Sequence, residues 1–138
     1  MALAVILAAA LFALAGVHLY WAFGGRWPGH DEASMVEHVV GRTVGMRAPG
    51  PVASTAVAAA LAAGGLLILA TLSPSPPLAP WLQAARWALF AVFFGRGVAT
   101  YVPPVFRYAE GTPFASLNRR AYGPLCLAIA LGLLILQL

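Results

Sequence analysis

Lysine is absent from this 138-residue chain, so all eight basic residues are arginines. Cysteine occurs once, at Cys126, which excludes an internal disulfide and any multi-cysteine metal framework. Charge is scarce as well: 9% of residues are ionic, against about 25% in an ordinary soluble domain. So little polar material cannot clothe a globule of this size in a wettable surface. The net charge of +4 is spread over short loops, with no basic helix and no aromatic-interleaved stripe, which argues against nucleic acid as a partner. A phosphate-cradling glycine loop, a Ser-His-Asp set and a zinc signature are all missing.

What the chain does have is long apolar runs, with 62% hydrophobic residues and a mean hydropathy of +0.86. Residues 2–23, 52–72, 81–102 and 117–138 each approach the roughly 20 residues that a helical crossing needs. The pattern predicts an all-α integral membrane four-helix bundle, a single domain over 1–138. One long and one medium polar loop lie on the same side. The first run also invites comparison with a signal peptide. It lacks a basic leading region, however, and Gly24 to Pro28 is no small-residue cleavage site.

The longest hydrophilic stretch, 24–51, holds a short helical pattern from about Glu32 to Val40. Asp31 and Glu32 open it, and Met35, Val36, Val39 and Val40 form one apolar stripe suited to an interfacial helix. Pro49-Gly50-Pro51 sets up the second run, whose alanines and glycines permit close helix approach. The stretch Ser73 to Pro77 is a turn, because three prolines in five residues cannot stay helical. Pro103-Pro104 ends the third run.

An even number of crossings puts both termini on one side. The 24–51 and 103–116 loops and their flanks carry Arg26, Arg42, Arg47, Arg107, Arg119 and Arg120, while the terminal side has only Arg86. The positive-inside rule then places the long loops in the cytoplasm and both termini outside it.

Depth locates a candidate site. His18, Arg96 and Cys126 each lie six residues inside a loop-side boundary, or about 9 Å at helical rise. Tyr101 and Tyr122 sit above that layer. Arg96 is the strongest signal, because an arginine within a span costs about 2.5–3.5 kcal/mol and faces protein or a wet cavity unless it snorkels. His18 is open to three roles: packing against a carbonyl, contacting a ligand's phosphate or carboxylate with Arg96, or ligating metal. The other histidines, His30 and His38, are in the loop, so no bis-histidine haem is indicated, and neither a metal nor a cofactor is expected. Cys126 reads as a small buried hydrophobe or as a border to the same layer. Trp21, Trp27, Arg119 and Arg120 are expected as interfacial anchors.

Several motifs resemble a known family. They are His18 to Trp27 (HLYWAFGGRW), Pro49-Gly50-Pro51, Arg96-Gly97, Thr112 to Asn118 (TPFASLN) and Tyr122 to Leu127 (YGPLCL), in that order. Together they resemble a bacterial membrane family known as domain of unknown function 3995. The resemblance implies a small four-helix protein of the bacterial cytoplasmic membrane, and it adds Asn118 to the candidate ligand-binding residues. It supplies no reaction. Its pattern often has an aspartate near the position of Thr100 and another at that of Asn118. This chain has neither, which leaves Arg96 without an obvious counter-ion and makes Glu37 and Glu110 the candidates to supply one.

Three functions follow as expectations. The first is binding of a membrane lipid or other amphiphilic molecule in the polar layer. The second is a structural or regulatory subunit that meets a membrane-protein partner, or a second copy of itself, through Ala/Gly-rich helices. The third, a small membrane enzyme using His18, Arg96 or Cys126, has the least support, and the sequence leaves open whether the protein is an enzyme at all.

Overall fold

Alanine, leucine and valine without an interior proline make an uninterrupted helix of the first run, and the computed structural model begins with it. The structure describes residues 1–72 and 80–138, so the turn expected at Ser73 to Pro77 falls outside the described residues. Helix α1 spans Ala2–Ala22 and stops where Gly24 adopts φ +84°, a conformation that only glycine takes without cost. Its buried residues Ala4, Leu7, Ala8, Leu11 and Ala15 form one stripe at helical spacing.

The short helix α2 (Glu32–Val39) starts at Asp31, whose side chain accepts the Ser34 backbone N–H while the Ser34 hydroxyl answers the Asp31 N–H. This reciprocal capping satisfies donors that a helix start leaves open. Helix α3 (Pro51–Leu69) has proline at its first position, where the missing N–H costs nothing, and it tightens into a 3-10 turn at Ala70–Leu72.

The α1 stripe packs along α3, the most extensive helix pair. Two glycines set the distance. A Cβ at Gly65 would sit 2.9 Å from the Phe12 ring, and one at Gly64 would sit 3.1 Å from Leu89 and 3.3 Å from Leu11.

Helix α4 (Pro80–Ala99) pairs with the last rod of the chain. That rod runs unbroken over 113–135: α5 (Pro113–Leu117), a π turn (Asn118–Tyr122), then α6 (Gly123–Ile135). It thus begins before residue 117, where the apolar run alone suggests a start. Pro124 accounts for the π turn. It has no N–H to give, and Gly123 N–H reaches back five residues to Asn118. The carbonyl of Arg119, left without a helical donor, accepts the Tyr101 hydroxyl at 3.2 Å.

The α1–α3 and α4–α6 pairs meet through one core of Ala4, Leu7, Ala8, Leu11, Ile68, Phe93, Ile129, Ala130 and Leu133. Gly132 admits Leu7 there; a Cβ on it would lie 2.9 Å from both Leu7 methyls. Among the described residues all regular structure is helical. Two helices, α1 and α3 with its 3-10 extension, are long and apolar enough to cross a membrane. Large apolar side chains such as Ile6, Leu66, Val92, Leu131 and Ile135 remain on outer faces.

The polar loops are not loose. Met35 and Val36 of α2 are buried, and α2 packs on α5, so its apolar stripe is spent on protein. Three bonds to backbone carbonyls tie the first loop region to the second and to the rod: Arg42 to Glu110, Tyr108 to Val40, and Tyr122 to His38. Gly41, at φ +98°, lies so close to Ala109 that a Cβ would approach the Ala109 methyl to 2.5 Å.

Candidate functional site

Arg96 comes from the last full turn of α4, one turn before the helix ends at Ala99. Two close approaches fix how α4 faces the rod: Gly97 against Leu127, with a notional Cβ contact of 2.6 Å, and Gly123 against Thr100, at 2.7 Å. That register brings the Arg96 guanidinium to the π turn. Its Nη1 donates to Thr100 Oγ1 at 2.8 Å and its Nη2 to Asn118 Oδ1 at 2.7 Å. The Thr100 hydroxyl lies within 3.3 Å of the Arg96 carbonyl and 3.4 Å of Asn118 Oδ1. Phe106, from the loop above, covers the guanidinium at 4.8 Å, a cation–π contact. Thr100 and Asn118 are buried, and Arg96 is partly so.

Both side-chain partners are neutral. Neither Glu37 nor Glu110 pairs with Arg96; the one contact between a basic and an acidic side chain among the described residues is His30 with Asp31, at 3.7 Å. Glu110 instead lines a small cavity beside Thr100 and Asn118 and gives its carbonyl to Arg42. Two neutral oxygens and one aromatic face thus hold the guanidinium, the aromatic contact contributing about 0.5–2 kcal/mol. Among the described residues the remaining guanidinium N–H donors meet no protein acceptor.

The other candidates stand apart. His18 directs Nδ1 to the Leu14 carbonyl at 2.8 Å, one turn back in its own helix, and its ring lies edge-on to Trp21. A carbonyl only accepts, so Nδ1 carries a proton and donates it to Leu14. No hydrogen bond joins His18 to Arg96 among the described residues. Cys126, half-buried, packs against the apolar core at the level of Gly97. Tyr101 and Tyr122 spend their hydroxyls on the Arg119 and His38 carbonyls, which makes them braces for the π turn and the loops. Trp21 donates to the Trp27 carbonyl at 2.7 Å, and Trp27, Arg119 and Arg120 are exposed near the loop-side ends of the helices. Groups of three or more His, Cys, Asp or Glu that could hold a metal do not occur among the described residues.

Thr100 and Phe106 complete the cluster, although sequence reasoning did not select them. Thr100 was within reach, since residues four apart on a helix are neighbours. Phe106 carried no signal, because the path of the Pro103-Pro104 loop decides what it covers.

A second cavity, of about 250 Å³, opens at the loop-side ends of α1 and α3, with Arg26 and Glu32 on its wall. Glu32 there accepts the Ala48 N–H at 2.9 Å.

These features define an all-helical protein with two helices able to cross a membrane and a preassembled, donor-rich arginine cluster beneath a cap of docked loops. A family described as "Protein of unknown function (DUF3995)" matches residues 11–133, and the chain belongs to it. No curated protein and no solved structure shows a significant match.

Proposed function

We propose that this is a small integral membrane protein that binds a lipid or other amphiphile in a polar layer near its loop-side interface. In this reading α1, α3, α4 and the 113–135 rod all cross the bilayer, with the arginine-rich loops in the bacterial cytoplasm. The outer apolar faces support it, since lipid is their natural solvent. One observation carries the binding part: Arg96 is held partly buried between neutral oxygens, with no carboxylate against it. Such a charge is prepared for an acceptor that the protein itself does not provide.

Native mass spectrometry after gentle extraction tests the reading. A retained amphiphile, lost on delipidation and lost in Arg96→Leu, is the expected result. A lipid-free protein that takes up none on exposure to membrane lipid extract overturns it.

A subunit role is the second reading, and it rests on a different face. Ala84, Ala88, Ala91 and Gly95 are exposed along one side of α4, and a Cβ on Gly95 would meet nothing within 4 Å. Small residues at this spacing let another helix approach closely. Stoichiometric co-purification of a second membrane protein, or a stable homodimer abolished by Gly95→Leu, would favour it.

A further inference from the structure

Hydrogen-bond donors outnumber acceptors around Arg96, and the imbalance has a location. A guanidinium can only donate, so the Asn118 carboxamide must turn its oxygen toward Arg96. Its NH2 group is thereby left for other partners. Among the described residues that NH2 meets no protein acceptor, although Asn118 is only 2% exposed. The NH2 group keeps slight access to the cavity beside it, so a partner from outside the protein can reach it. Asn118 and Thr100 line a cavity of about 30 Å³ that is bounded by Pro103, Phe106, Glu110 and Arg119.

The volume selects the guest. It exceeds the roughly 10–15 Å³ that a single water-sized group needs, so it admits a small group such as one oxygen rather than a whole headgroup. The charge decides between water and an anion. Arg96 lies directly behind Asn118 with no carboxylate partner, while the wall carries one charge of each sign, Arg119 and Glu110. The site therefore has one uncompensated positive charge. We propose that the cavity takes one oxyanion oxygen from the head of a monoanionic amphiphile, hydrogen-bonded to the Asn118 NH2 with Arg96 as the charge behind it. The remainder of the head stays outside the cavity. This rests on the amphiphile-binding reading and specifies its ligand; a carboxylate and a phosphodiester share the required chemistry.

The experiment uses the full chain, delipidated in nonionic detergent at mildly alkaline pH, with three probes: dodecanoate, phosphatidylglycerol and the neutral dodecanol. Binding is read by native mass spectrometry titration. At least one of the two anions is expected to bind about tenfold tighter than dodecanol, the scale of one charge-assisted hydrogen bond. Which anion wins distinguishes the carboxylate source from the phosphodiester source. In Asn118→Asp, which replaces the donor with a carboxylate against Arg96, the preference should disappear. Equal binding of anion and alcohol by the wild type overturns the oxyanion inference and leaves amphiphile binding standing. Binding of none of the three overturns both. A preference that persists undiminished in Asn118→Asp puts the anion elsewhere and sinks the site. If that variant does not fold, the wild-type Asn118 side-chain amide resonances decide: they should shift with the preferred anion and not with dodecanol, and unmoved resonances refute the proposal.

Discussion

Arg96 and Asn118 stand 22 residues apart in the chain, yet the guanidinium and the carboxamide oxygen are separated by 2.7 Å. A proline-imposed π turn presents the asparagine, and a glycine contact one residue beyond the arginine sets the helix register. The charge is thus docked on a neutral oxygen, with no carboxylate against it.

Replacing the charge separates binding from architecture. In the proposed reading, with α4 in the bilayer, Arg96→Leu should leave the helices assembled, because it removes an insertion penalty of about 2.5–3.5 kcal/mol. It should also lower retention of a co-purified amphiphile by about tenfold or more. Arg96→Lys should recover only part of that retention, since one ammonium cannot span both Thr100 and Asn118 as the guanidinium fork does. Equal retention by all three proteins would remove Arg96 from the site.

Helix packing makes a second prediction. Gly64 faces Leu89 and Leu11 across a gap with no room for a side chain, whereas Leu67 is only partly buried. Gly64→Leu should destabilise the protein in detergent by about 1–3 kcal/mol through overpacking, and by more than Leu67→Ala does. Thermal denaturation read by circular dichroism ranks the pair; two harmless substitutions would mean that this face is not packed in solution.

The loop cap is tested by removing its braces. Tyr108→Phe and Tyr122→Phe each delete one bond to the first loop region, worth about 1 kcal/mol. Amide exchange at residues 35–41 should quicken in both variants while exchange within α1 stays unchanged. Unaltered exchange at 35–41 would show that the loops dock without those hydroxyls.

Acid should act on the start of α2. Hydrogen bonds from Ser34 to the Asp31 carboxylate, backbone first and hydroxyl second, hold its pKa below the ordinary value, with His30 and Arg26 adding to the effect. A depressed carboxylate contributes stability above its unfolded pKa and loses it as pH falls through the folded one. Protection of the α2 amides should therefore be full at neutral pH and decline only below the usual carboxylate range. Asp31→Asn, which caps without titrating, should flatten that decline; an identical profile in the variant would exclude Asp31 as its source.

The one-sided arginines motivate the proposed orientation, with the long loops in the cytoplasm. In a Cys126→Ala background, a cysteine at Ser34 should be protected from an impermeant thiol reagent in intact cells, and one at Ser75 should react. The opposite pattern would invert the topology.

The apolar runs, the proline and glycine breaks, the start of α2 near Asp31 and Glu32 and the isolation of Arg96 were all legible along the chain. Each depends on local composition or on residues a few positions apart, where helix geometry alone supplies the neighbours. Depth ranked His18, Arg96 and Cys126 alike because rise per residue is the same in every helix. It carried no information on rotation, and rotation is what separates a His18 bonded to its own helix from an Arg96 bonded across to Asn118. The missing carboxylates at Thr100 and Asn118 were visible as identities, but not as the two oxygens that hold the guanidinium. Only the tertiary structure decided that, because the glycine contacts between α4 and the rod and the extra residue of the π turn together set which side chains meet. Such contacts arise from surfaces fitting over long sequence separation, and no local pattern encodes them.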